Sequence, residues 1–161
     1  MLTDVPVSSL GTWRADAADA AYVCCASREE RCVGATRLMR EYRCEASYIL
    51  RVGDGAAVQT HHEELEELLG QAGPVATVHT EHDDPMPGVA TLVRGISTAV
   101  TGSCDPVVTL DITSLTTRHA LLLLYHLDRL GLWEGVRLVY SEPKDYALEL
   151  DSPLTTGVRP V

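Results

Sequence analysis

The sequence predicts an α/β protein of three layers, helices on both sides of a five-stranded parallel sheet, and three observations predict it. Five short apolar runs, residues 21–26, 46–52, 75–80, 107–113 and 136–140, read as strands. Four segments of helical periodicity lie between them, and strand–helix alternation is the signature of successive βαβ units. The runs are almost continuously apolar, as in Val107-Val108-Thr109-Leu110, which a strand covered on both faces requires.

The first helix, expected over residues 29–42, carries Cys32, Ala35, Thr36, Met39 and Tyr42 on one stripe. The second, 61–72, places Leu65, Leu68, Leu69 and Ala72 at i, i+3, i+4 and i+7, keeps Glu63, Glu64, Glu66 and Glu67 outside, and stops at Gly73-Pro74. The third, 87–100, turns Val89, Leu92, Val93, Ile96 and Val100 to the sheet. The fourth, 114–132, is capped by Thr113 or Ser114 and is apolar on nearly every side. Leu121 to Leu124 are consecutive and project over a full turn, so this helix is expected to meet a protein partner, a second copy or the amino-terminal leader. Right-handed crossovers leave few topologies, and the flavodoxin-like order 2-1-3-4-5 is the one expected. Residues 1–20 read as a poorly patterned leader with Leu10 and Trp13 as anchors, 21–150 as the Rossmann-like domain, and 151–161 as a tail or connector.

The formal net charge of −10 opposes binding to a phosphate backbone, so nucleic acid is not an expected partner. No apolar run is long enough to span a bilayer and the start lacks the order of a signal peptide, which predicts a cytoplasmic protein. The five cysteines, 24, 25, 32, 44 and 104, form no C-x-x-C pair, which argues against a disulfide framework and a structural zinc and predicts free thiols. Cys24 and Cys25 are neighbours in a strand and must point to opposite faces. Lys144 is the only lysine and Asn and Phe are absent, the codon pattern of a GC-rich bacterial genome.

Ligands of an open parallel sheet bind beyond the carboxyl ends of its strands. Those ends carry Ser27-Arg28-Glu29-Glu30-Arg31, His82-Asp83-Asp84, Asp111 to Thr117, and Ser141-Glu142-Pro143-Lys144-Asp145-Tyr146. The ligand-binding candidates are Ser27, Arg28, Arg31, Asp111, Ser114, Thr116, Glu142 and Tyr146. Asp111 closes an apolar strand and must find donors or a cation; Ser114, Thr116 and nearby amides are the expected donors. No G-x-x-x-x-G-K-[ST] loop accompanies it, so a phosphate-loop hydrolase is excluded. Arg28 and Arg31 either meet an anion at a helix start or pair with Glu29 and Glu30. His61, His62, His79 and His82 lack the spacing of a helical ligand pair, so no metal and no cofactor is expected.

Three segments, Ser27 to Cys32, Asp111 to Arg118 and Tyr140 to Tyr146, together resemble a group of bacterial Rossmann-like domains that accompany antiphage defence effectors. These are similar in architecture to TIR-like and CRISPR-associated sensor domains. The resemblance implies a non-catalytic sensor or interaction module that binds a nucleotide-like ligand or a protein partner. No catalytic residue carries over, because neither Trp13 nor Trp133 stands near the Cys and Glu of a TIR glutamate motif. Strand three, followed by His82-Asp83-Asp84, also matches a receiver domain poorly. The alternatives are an enzyme cleaving nucleotides or nucleosides with Glu142, Asp111 and Tyr146, and a structural scaffold.

Overall fold

Apolar side chains fill both faces of the first strand, and the fold grows outward from it. The computed structural model describes residues 18–39 and 42–142. Five strands, β1 (Asp19–Ala26), β2 (Cys44–Val52), β3 (Val75–Thr80), β4 (Val108–Asp111) and β5 (Val136–Val139), form one parallel sheet. The helices are α1 (Gly34–Leu38), preceded by a 3-10 turn over Glu30–Val33, then α2 (Ala56–Gly70), α3 (Met86–Ala99) and α4 (Thr117–Arg129).

Side chains alternate along β1 between two cores. Tyr22, Cys24 and Ala26 join Ile49, Val33, Val58, Leu65 and Leu69 under α1 and α2. Ala21, Val23 and Cys25 join Leu50, Val78, Leu92, Ile96, Leu123 and Leu127 under α3 and α4. Cys24 and Cys25 therefore do point to opposite faces, and all five thiols are free. Among the described residues no helix is long and apolar enough to cross a membrane.

The strand order is 3-2-1-4-5, which corrects the expected 2-1-3-4-5. β3 pairs with β2, in the register Ser47 opposite Val75, and does not cross β1. Two crossovers thus run in one direction, which puts α1 and α2 on one face, and the third returns over the sheet and puts α3 and α4 on the other. Periodicity gives each element's apolar face but says nothing of the direction in which the chain leaves a strand.

The first helix is shorter than 29–42. Met39 leaves helical geometry, at φ −87° and ψ 51°, and Tyr42 instead packs edge-on against Tyr22 and donates its hydroxyl to Asp19 (2.8 Å). Asp19 also accepts from Thr109 Oγ1 and from Arg137 Nη1 (3.3 Å), so one buried carboxylate ties β1, β4 and β5 together at their amino ends. β1 starts at this residue, inside the stretch read as leader. The second helix begins five residues before its expected start, directly after Gly55. Leu10, Trp13, Lys144, Tyr146 and the tail 151–161 lie outside the described residues.

Candidate functional site

The strand order creates two places where neighbouring strands send the chain to opposite faces. β1 leads to α1 on one face while β4 leads to α4 on the other; β2 leads to α2 while β3 leads to α3. Each divergence opens a crevice at the carboxyl end of the sheet. Of the candidates read from sequence, Ser27, Arg31, Asp111 and Ser114 stand at the β1/β4 crevice, and there the protein's own groups close it.

Ser114 bridges the gap by donating its hydroxyl to the Cys25 carbonyl (2.7 Å). Behind it, Asp111 is buried at the end of β4, with Oδ1 accepting from the Thr113 amide (2.9 Å) and Oδ2 from the Tyr22 hydroxyl (3.2 Å). The Thr113 amide is one of the nearby amides expected as donors, whereas the Tyr22 hydroxyl takes the place expected of Ser114 and Thr116, because the chain folds the carboxylate back over its own following turn. Burial pushes the Asp111 carboxyl above its ordinary range, and its hydrogen bonds from Thr113 and Tyr22 and the Arg31 charge oppose that rise. Thr113 in turn accepts from the Ser141 amide (2.9 Å), drawing the segment after β5 across the crevice. A Cβ on Gly34 would stand 3.2 Å from Ser141 Oγ, so α1 begins hard against that segment.

Arg31 bonds Glu29, donates to the Tyr140 hydroxyl (3.0 Å) and stacks on the Tyr140 ring at 5.7 Å. This local pairing is one of its two expected roles. The Ser27 carbonyl bonds His61 Nδ1 (2.8 Å), and Arg28 and Glu142 are exposed. Of the residues named for an enzyme, Asp111 has both oxygens engaged, Glu142 faces solvent and Tyr146 lies outside the described residues. The fourth helix is capped by Thr116, whose Oγ1 accepts from the His119 amide (3.3 Å); Ser114 and Thr113, the expected caps, serve the closure instead.

The β2/β3 crevice is open. It encloses about 740 Å³ between the end of β2 and the loop after it, from Arg51 to Asp54, and the end of β3 with the following loop and first turn of α3, from His79 to Gly88. Gly53 stands at φ +70°, and a Cβ there would touch nothing within 4 Å, so the glycine serves the backbone turn and not packing. Gly88 does the reverse. Its Cβ would fall 2.5 Å from Thr80 Cβ and Oγ1, so only glycine lets α3 start this close to β3.

Beneath the cleft, His119 is fully buried on the first turn of α4. Its Nε2 bonds Thr80 Oγ1 (3.0 Å) and its Nδ1 bonds Thr116 Oγ1 (2.7 Å). Burial first, then the charges of His82 and Arg118, push this imidazole below its ordinary pKa, which disfavours its charged form. Arg118, one residue earlier, donates to the Asp83 carbonyl (3.0 Å). Two contacts thus join the cleft wall to the start of α4.

On that helix Leu123 and Leu127 are buried and Leu122 and Leu124 partly so, whereas Leu121 is 62% and Tyr125 57% exposed. Compared with models of known protein families the chain matches none, and comparison with curated proteins returns no match. Its chemistry is therefore read from the geometry. No group of three His, Cys, Asp or Glu side chains among the described residues is placed to hold a metal.

Arg51, Gly53, His79, Thr80 and Gly88 were not among the sequence candidates for a ligand. The signal for them was Val52-Gly-Asp-Gly-Ala56, a glycine-flanked turn between a strand and a helix. Only His82-Asp83-Asp84, grouped with the strand-end loops, pointed to this end of the sheet.

Proposed function

We propose that the chain is a non-catalytic Rossmann-like sensor or interaction module that binds a nucleotide-like ligand, with the role in bacterial antiphage defence that the resemblance implies. The observation that carries the binding half is the contrast between the crevices: one is latched by Ser114 and Ser141, the other is open and large enough for a mononucleotide. The sensor half is supported by the contacts of His119 and Arg118, through which a change at the cleft reaches α4. The partner half is supported by Leu121 and Tyr125, i and i+4 on that helix and both exposed.

The test is a thermal-denaturation screen of the full chain against nucleotides. A ligand present at 100 times its dissociation constant adds about 2.7 kcal/mol to stability. The compound should be recovered intact afterwards. Release of nicotinamide or free base that disappears in Glu142→Gln overturns the non-catalytic reading, and a flat screen overturns the ligand.

A further inference from the structure

We propose that the β2/β3 crevice is a nucleoside-phosphate site, with the phosphate seated on Arg51 in place of Asp54 and the sugar hydroxyls on the rim carboxylates Glu81 and Asp84. The proposal rests on the reading of the chain as a nucleotide-binding module and adds the location, the polarity and the chemical class of the ligand. Charge in the cleft is sorted by depth. The Arg51 side chain is only 16% exposed, at the end of β2, whereas Asp54 is 92% exposed and Glu81 and Asp84 also stand in solvent. A ligand anionic at one end and rich in hydroxyls at the other fits that gradient; a simple anion fits only its deep end.

The guanidinium is held in a manner that leaves it exchangeable. Nη1 donates to Gln59 Oε1 (2.6 Å) and Nη2 to Asp54 Oδ1 (3.0 Å), while Nε is enclosed and has no hydrogen-bond partner among the described residues. A guanidinium offers five N–H donors in a planar fork that matches a phosphate face. Gln59 fixes the side chain from α2, and Asp54, carried on the glycine-flanked loop, is the one anionic partner it bonds among the described residues. A phosphate entering the cleft replaces that carboxylate with a more highly charged group at no loss of hydrogen bonds.

The opposite wall is the first turn of α3, where Pro85 supplies no side-chain cap and the Gly88 amide precedes the first intrahelical bond, Val89 N to Pro85 O (2.9 Å). Its amide end favours negative charge on that wall of the cleft. The Asp54 exchange is the distinguishing feature, because it gives two substitutions of opposite sign.

The experiment titrates the full chain with the four nucleoside 5′-monophosphates, the matching nucleosides and inorganic phosphate, following amide resonances. A monophosphate should perturb residues 51–54 and 79–88, and its nucleoside should bind at least about tenfold more weakly. Arg51→Met should weaken the monophosphate roughly tenfold or more. Asp54→Asn should tighten it roughly two- to fivefold, a gain that misfolding does not produce. Perturbation confined to residues 27–31 and 112–116, equal affinity for nucleoside and nucleotide, or unchanged affinity in both variants overturns this site while leaving a nucleotide-binding module in place. Binding of inorganic phosphate as tight as that of every nucleotide overturns the rim's role. No response to any nucleotide overturns the functional reading itself.

Discussion

The two crevices share one topological origin and differ in what the chain places inside them. At β1/β4, Ser114 reaches the Cys25 carbonyl and the segment after β5 folds over Thr113, so the gap is filled with satisfied hydrogen bonds. At β2/β3 a positive-φ glycine turn and an exposed acidic rim leave the gap to solvent. A divergence of connections makes room for a ligand, and local side chains decide whether the room is kept. Asp111 and His119 express the same contrast in acid–base terms: burial raises the carboxyl under the closed crevice and lowers the imidazole under the open one.

The largest effect that breaks the comparison is expected from Gly88→Ala. The new methyl meets Thr80 at 2.5 Å and His79 O at 3.3 Å, so α3 must move off β3. A loss of about 1–3 kcal/mol by denaturant titration is predicted, together with loss of any ligand-induced stabilisation. An unchanged midpoint would mean that the cleft wall yields freely. Next comes Asp111→Ala in the closed crevice. It leaves the Thr113 amide and the Tyr22 hydroxyl without their carboxylate, for a cost of about 1–3 kcal/mol, and Asp111→Asn should recover part of it.

Acid sharpens the contrast. A carboxyl raised in the folded state binds its proton more tightly there than in the unfolded chain, so Asp111's contribution grows as pH falls through its raised value toward 3.8 and is lost as pH rises. His119 has the opposite sign: its lowered folded value makes the unfolded chain bind the proton first, so stability falls as pH drops below 6.5. The difference in unfolding free energy between wild type and Asp111→Asn should therefore move in favour of wild type on acidification. The difference between wild type and His119→Gln should move against it. Parallel slopes for the two pairs would refute the assignment.

Smaller effects test the latch. Ser114→Ala removes one bond to a buried carbonyl and should cost about 1 kcal/mol in thermal unfolding. Thiol labelling of the native protein should modify Cys104 alone, because the other four thiols are buried and desolvation pushes Cys25 up to about 12. Rapid labelling of Cys25 in Ser114→Ala, but not in wild type, would show that the latch governs access to that end of β1. Arg31→Met, which removes a partly exposed pairing with Glu29 and Tyr140, should change stability by no more than about 1 kcal/mol.

Sequence by itself determined the layered α/β class, the five parallel strands, the apolar faces of α2 and α3 and the free thiols. Each of these follows from local periodicity or residue type, as with Leu65 and Leu69 or Leu92 and Ile96, whose spacing alone turns them inward. The strand order, the contact of Tyr22 with Asp111 and the choice of crevice were decided by tertiary structure. Tyr22 and Asp111 are 89 residues apart, and so are Ser114 and Cys25. Their contacts depend on β4 lying beside β1, and that depends on the direction of crossovers that no local pattern records. The buried His119 illustrates the same limit: its Nδ1 partner Thr116 is a neighbour in sequence, and only the packing of α4 against the end of β3 gives Nε2 its partner Thr80.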